Sequence, residues 1–214
     1  MSDKFDAVLF DFGGVFTESP FLAAEAVGRE LGAPPGRVME IVFGPYDSDT
    51  DHPWHRLERG ETDLMSARDA ILALGEAEGI ETDLFRVLAL IGSGASPRDA
   101  VFAHVGRLRA AGVKTAIVTN NAAEFRDAWR AMLPSEDLFD AIVDSSEIGV
   151  RKPNPEIYRH ALAAVGNVAP ERAVFLDDYD GNVVAARALG LTAILVEPDF
   201  TGALDELARL TGVA

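Results

Sequence analysis

Five short apolar runs limit what this chain can fold into: Phe5–Phe10, Val113–Val118, Ala141–Val143, Ala173–Leu176 and Thr192–Val196. Four of them are almost continuous in Val, Ile, Leu, Phe and Ala instead of alternating apolar with polar. A strand that is apolar at every position must be covered on both faces, which is the condition of a parallel sheet between two layers of helix. Helical signals fall where such a sheet needs them. Ser96-Pro97 supplies a capping hydroxyl and a proline for the first helical position. Val101, Val105 and Leu108 then recur at helical spacing, and Gly112 marks the stop. Further helices are predicted over 123–133, from Pro155 to Gly166 and from Asp180 to Gly190. Strand alternating with helix predicts an α/β fold with a doubly wound parallel sheet.

The alternation has one long interruption. About a hundred residues between the first and second runs contain no convincing strand, far more than a simple crossover needs. Phe21–Leu31, Asp63–Glu78 and Asp83–Ile91 carry helical signals instead. The spacing predicts an all-helical insert over residues 17–94, a cap above the C-terminal edge of a sheet built from 1–16 and 95–214. Gly92–Ser96 reads as the hinge back to the core.

The charge balance narrows the partners. The 214 residues hold 19 basic and 35 acidic side chains, a net charge of −16. Phosphate backbones and anionic membrane surfaces call for a basic face, so neither nucleic acid nor a membrane is expected as partner. The absence of cysteine excludes disulfides, thiolate metal sites and cysteine nucleophiles. The run Ala7–Phe10 is too short for a signal peptide or a span. A soluble, cytoplasmic protein, monomer or homodimer, is the expectation.

Ligands of open parallel sheets bind beyond the carboxyl ends of the strands. Here the first run ends in Asp11-Phe12-Gly13-Gly14, the second in Thr119-Asn120-Asn121 and the fourth in Asp177-Asp178. Between the third and fourth lies Arg151-Lys152-Pro153. Two or three carboxylates gathered at one edge repel one another. A hard, oxygen-seeking cation such as Mg²⁺ relieves that repulsion. A lysine and a hydroxyl beside it suit a phosphate.

In order along the chain stand Val8–Val15 (VLFDFGGV), Ile117–Asn121 (IVTNN), Val150–Tyr158 (VRKPNPEIY) and Val174–Asn182 (VFLDDYDGN). Together they resemble the four motifs of the haloacid dehalogenase superfamily, in its helical-cap phosphatase branch. The form of the third resembles sugar-phosphate phosphatases and the phosphatase domain of bifunctional epoxide hydrolases. The resemblance implies a Rossmann-like core and a Mg²⁺-dependent phosphatase acting on a small phosphorylated metabolite. It implies Asp11 as nucleophile, forming an aspartyl phosphate. Thr119 would bind the phosphoryl group by its hydroxyl, and Asn120 by backbone amide or side chain. Lys152 would neutralise nucleophile and phosphoryl oxygens, with Phe12 and Gly13 beside them. Asp11, the Gly13 carbonyl and Asp178 would hold Mg²⁺. Asp177 would hold a coordinated water or orient Lys152, and the roles of the two adjacent acids are interchangeable at this level. Arg151 either touches substrate or pairs with an acidic neighbour. Asn182 would fix the acidic loop, and Tyr179 would narrow the site.

One position departs from the family pattern. Many of its phosphatases carry a second Asp two residues after the nucleophile, as general acid and base; here it is Gly13. General acid–base assistance is typically worth about 10²–10⁴-fold in rate. The remedies are a good leaving group, such as an acyl or anomeric phosphate, or a cap residue that replaces the acid. The cluster Asp47–His55 (DSDTDHPWH) offers His52 and His55 for that task, unless it is a solvated connector. Otherwise the protein is a weak phosphate-ligand binder or regulator. A metal-free haloacid dehalogenase is disfavoured, because Asp177 and Asp178 would then sit unneutralised.

Overall fold

The computed structural model describes residues 5–94 and 96–214. Its centre is a parallel sheet of β1 (Ala7–Phe10), β2 (Lys114–Thr119), β3 (Ala141–Asp144), β4 (Ala173–Asp177) and β5 (Thr192–Leu195). The spatial order is β3-β2-β1-β4-β5. The pleat explains the continuous apolar runs. Val8, Phe10, Ile117, Val174 and Leu176 face one apolar layer, while Ala7, Leu9, Val118, Ala173 and Phe175 face the other.

Helices cover both faces. Before the core helices come α1 (Pro20–Leu31), α2 (Arg37–Phe43), α3 (Pro53–Glu58), α4 (Leu64–Ala77) and α5 (Leu84–Gly94). The core then adds α6 (Asp99–Ala110), α7 (Arg126–Arg130), α8 (Ser145–Ile148), α9 (Pro155–Ala164), α10 (Asp180–Ala188) and α11 (Thr201–Thr211). Val101, Val105 and Leu108 of α6 and Leu207 of α11 pack on the Phe10 face. Ile157 and Ala161 of α9 and Val183 and Ala186 of α10 pack on the opposite one. The insert α1–α5 has its own apolar cluster, in which Val27, Ile41, Leu57, Ile71, Leu84 and Val87 meet. It stands over the C-terminal ends of the strands, where Tyr46 and Tyr179 stack edge to face at 5.1 Å between centroids.

Three local expectations change. Of the stretch Gly92–Ser96 expected to link insert and core, Gly92–Gly94 are the last residues of α5, which continues past Leu88 and Ile91 into the small residues; Ala95 lies outside the described residues. The helix expected over 123–133 is instead a 3-10 turn, Ala123–Phe125, followed by the short α7. This segment serves two cores at once: Phe125 packs with the insert and Trp129 with the sheet. The third concerns α2 and α3, which at 7 and 6 residues are too short to show a period.

Candidate active site

The strand order makes β1 the switch point. Its neighbours β2 and β4 lead to opposite edges of the sheet, and register places Phe10 beside Ile117 and Leu176. The next residue, Asp11, therefore emerges between the exits of β2 and β4, its amide donating to the Leu176 carbonyl at 2.8 Å.

Asp11 is held through one oxygen. Its Oδ1 accepts from the Phe12 amide at 2.7 Å and pairs with Lys152 Nζ at 2.7 Å. Lys152 is 1% exposed and also donates to Asp177 Oδ2 at 2.8 Å. Burial alone would pull the Lys152 ammonium down. Asp11 and Asp177 together outweigh that and hold it above its ordinary value.

The two adjacent acids differ sharply. Asp177 is saturated: Oδ1 accepts from the Tyr179 amide at 2.8 Å, Oδ2 from Lys152, and Asn182 Nδ2 lies 3.1 Å from both oxygens. Asp178 Oδ2 is buried without a partner. Gly14, at φ 78°, passes so close that a Cβ there would lie 2.2 Å from this oxygen; only glycine fits. One oxygen each of Asp11, Asp177 and Asp178 lies within 4.8 Å of the others. Burial first, then Asp177, pushes the Asp178 carboxyl up to about 7. Asp11 also stands well above the carboxylate range: burial, Asp177 and Asp178 raise it against the pull of Lys152. Both shifts mark a site short of positive charge. An all-oxygen donor set with one unpartnered buried carboxylate oxygen fits a hard divalent cation.

Other predicted residues turn out differently placed. The Asn120 side chain is engaged with the backbone of Lys152, accepting from its amide at 2.7 Å and donating to its carbonyl at 3.0 Å. The side-chain mode of ligand contact is therefore taken up within the protein. Arg151 does not face the site. It is fully buried, with Nε 2.6 Å from Glu58 Oε2 and its guanidinium 4.6 Å over the Tyr46 ring. Of its two expectations, the acidic neighbour is the one realised: Glu58 of the insert is its nearest counter-charge, with Asp49 at 3.9 Å. Tyr179 stacks on Phe21 and Tyr46 and ties insert to core.

His52 and His55 do not supply an acid. Burial pulls them down to about 4 and about 3, with Arg151 adding to the effect at His55. Both imidazoles are neutral at pH 7, and His55 is fully buried. Gly13 is roofed by Pro20, whose Cδ would stand 3.3 Å from an added Cβ.

Sequence reasoning missed Glu58. It accepts from the Tyr46 hydroxyl and the Trp54 indole, both at 2.8 Å, besides Arg151. The Trp54–Glu58 spacing of i, i+4 on one helix was a usable signal. Also unforeseen is a cavity of about 260 Å³ above Asp11, walled by both insert and core. Phe12, Gly13, Thr119, Asn120 and Asp178 reach it; the apolar side chains that wall it come from distant parts of the chain.

The comparisons with known proteins agree with this arrangement. Over 214 residues the chain is 30% identical to the sesquiterpene phosphatase astK of Aspergillus oryzae, covering 99% of this chain and 100% of that protein. Bifunctional epoxide hydrolase 2 of Rattus norvegicus is 38% identical over 109 residues, 49% of this chain; the chain spans about a fifth of that longer protein (19%). It spans the same share of acyl-CoA dehydrogenase family member 10 of Mus musculus, at 30% identity over 98% of this chain. A haloacid dehalogenase family enzyme of Bacteroides thetaiotaomicron, in complex with magnesium and inorganic phosphate, has the same fold. Its TM-score is 0.64 at 20% identity, over 93% of this chain and 98% of that one. Residues 5–190, which span β1 through α10, match a single family throughout. With its Asp11 at the switch point of the sheet, this chain belongs to the haloacid dehalogenase-like hydrolases.

Proposed function

We propose that the protein is a Mg²⁺-dependent phosphatase of small organic phosphates, working through an aspartyl phosphate on Asp11. The observation that carries this reading is the Asp11–Lys152–Asp177 chain beside the unpartnered Oδ2 of Asp178. Asp11, Asp178 and the Gly13 carbonyl are the groups that would hold the ion. Mg²⁺ would screen the phosphate's charge and polarise its oxygens. Of the two adjacent acids, Asp178 is the ligand in this reading and Asp177 the residue that orients Lys152. The phosphatase among its relatives and the magnesium and phosphate in the Bacteroides enzyme support the same choice.

Lys152 and the Phe12 amide fix Oδ1, so Oδ2 is the attacking atom. It forms a bond to phosphorus while the bond from phosphorus to the leaving oxygen breaks, that oxygen keeping the electron pair. Water then attacks the phosphorus of the aspartyl phosphate and the Asp11 carboxylate departs, the proton that the water gives up passing to solvent or to the phosphate product, from which a leaving alkoxide regains one. The net change is phosphate ester plus water giving alcohol or acid plus inorganic phosphate. Lys152 stays charged throughout and holds developing negative charge in a dry site. Thr119 adds its hydroxyl. Gly13 offers no proton, so phosphates whose leaving oxygen is already a weak base, such as acyl phosphates, are the fast substrates.

Asp11→Asn removes the nucleophile with little change in shape. Hydrolysis of acetyl phosphate and p-nitrophenyl phosphate should require Mg²⁺ and should vanish in this variant while its circular dichroism stays native. Turnover that survives Asp11→Asn would overturn the mechanism.

A further inference from the structure

We infer that the organic part of the substrate is apolar, and that it lies in the cavity between insert and core. This rests on the reading of Asp11 as nucleophile. The cavity has two chemically different ends. Asp11, Thr119, Asn120 and Asp178 form a polar floor at the strand exits. The walls above are Phe21, Phe43, Leu88, Ile91, Trp129 and Met132.

Few polar groups of the walls are free: Trp129 Nε1 and Asn182 Oδ1 lack partners and Glu18 is exposed, but the others near the apolar walls are paired. Glu58 reaches the cavity but is taken up by Tyr46, Trp54 and Arg151. Tyr46 donates to Glu58 and accepts from Asn120 Nδ2 at 3.3 Å. A sugar or a polyol would bury several hydroxyls against aromatic and aliphatic carbon, and each unpaired one is unfavourable. An alkyl, aryl or terpenoid group meets no such penalty. An apolar cavity of about 150 Å³ already accepts benzene, and this one measures about 260 Å³. Its floor is continuous with the phosphate site, so one amphiphilic molecule can occupy both ends.

The test is a homologous series of acyl phosphates, acetyl to octanoyl, at saturating Mg²⁺. The acidity of the leaving carboxylate is nearly constant along the series, so chain length alone varies. Burying each methylene is worth about 0.8 kcal/mol, so kcat/KM should rise about three- to fourfold per methylene until the cavity is full. The gain should fall mainly on KM, because tail burial is the same in ground and transition states. Ile91→Asp, on the wall, should flatten that slope.

A second readout does not need turnover. Both tryptophans of the chain, Trp54 and Trp129, line the cavity. Octylphosphonate should shift or quench their emission at concentrations where methylphosphonate does nothing. A flat acyl series with equal emission responses to the two phosphonates would overturn the inference and leave the phosphatase reading intact. An octyl-selective emission response with no hydrolysis of any ester would instead retain the apolar ligand and overturn the chemistry at Asp11.

Discussion

Removing Glu58 should destabilise the protein more than any other single change to a charged side chain of the insert. Glu58 and Arg151 are 1% and 0% exposed, and their contact of 2.6 Å joins α3 to the loop that carries Lys152. Glu58→Ala leaves the guanidinium buried among Tyr46 and the Ser48 carbonyl, with Asp49 at 3.9 Å as its remaining counter-charge. Breaking a buried pair from one side costs about 3–5 kcal/mol. The Tyr46 hydroxyl and Trp54 indole also lose their acceptor, which adds to the cost. At about 2–4 °C per kcal/mol for a chain of this size, Tm should fall by about 6–20 °C. Arg151→Met combined with Glu58→Leu removes both charges and should recover most of the loss. Chemical denaturation followed by circular dichroism and by Trp54 emission measures all three variants. A Glu58→Ala cost below about 1 kcal/mol, or a double variant no better than the single, would refute the account of Arg151 as a bridge between core and insert.

Two further outcomes follow from the site. The native Asp178 carboxyl, pushed up to about 7, keeps its proton where an unfolded carboxyl has lost it, so the native state binds more protons than the unfolded state between about pH 4 and pH 7. The Asp178 contribution to the stability of metal-free protein should therefore fall as pH rises through that window, by about 1.4 kcal/mol for each pH unit crossed; because His52 and His55, pulled below their unfolded values, contribute with the opposite sign, it is read as the difference in unfolding free energy from Asp178→Asn in chelator, and a difference that grows with pH in favour of the native Asp178 contradicts the sign. At Gly13 an added Cβ meets Pro20 at 3.3 Å, so Gly13→Asp should cost about 1–3 kcal/mol by overpacking without a large rate gain on acyl phosphates, which denaturation and steady-state kinetics on acetyl phosphate check together.

The core was legible because its signals are local. Runs such as Ala173–Leu176 are apolar at every position, and a doubly buried parallel strand reads no other way. Asp11, Thr119 and Asp177-Asp178 follow directly from where those runs end. Lys152 sits in a loop that periodicity does not mark, and only the motif order pointed to it. The insert was legible in kind but not in detail. Glu58 stands in Arg56-Leu57-Glu58-Arg59-Gly60-Glu61, which has the composition of a solvated turn. Its burial depends on Arg151, 93 residues away, and no local pattern records such a partner. The same holds for the cavity, since Phe21, Ile91 and Trp129 meet only after folding. His52 and His55 differ for a related reason: their type suggested titration near neutrality, but burial pulls both well below it.

The missing acid at Gly13 and the apolar cavity are physically consistent with each other. The floor already gathers Asp11, Asp177 and Asp178 against Lys152 alone. A fourth carboxylate at position 13 would stand beneath Pro20 and open onto the aromatic walls, poorly hydrated and close to like charges. Its ionised form would be disfavoured by burial and repulsion together. Glycine avoids that charge and leaves its carbonyl as an uncharged oxygen donor. The same dryness strengthens each interaction that remains, because a lysine–phosphate attraction grows as the effective dielectric falls. In the proposed reading a chain of net charge −16 would receive an anion at one point, where the proposed cation and Lys152 would reverse the local sign. What it gives up is a proton for the leaving group and a base for the water that opens the aspartyl phosphate. The first loss falls only on substrates that need a proton, which an apolar acyl or aryl phosphate does not; the second is common to every substrate and sets the hydrolytic half of the cycle.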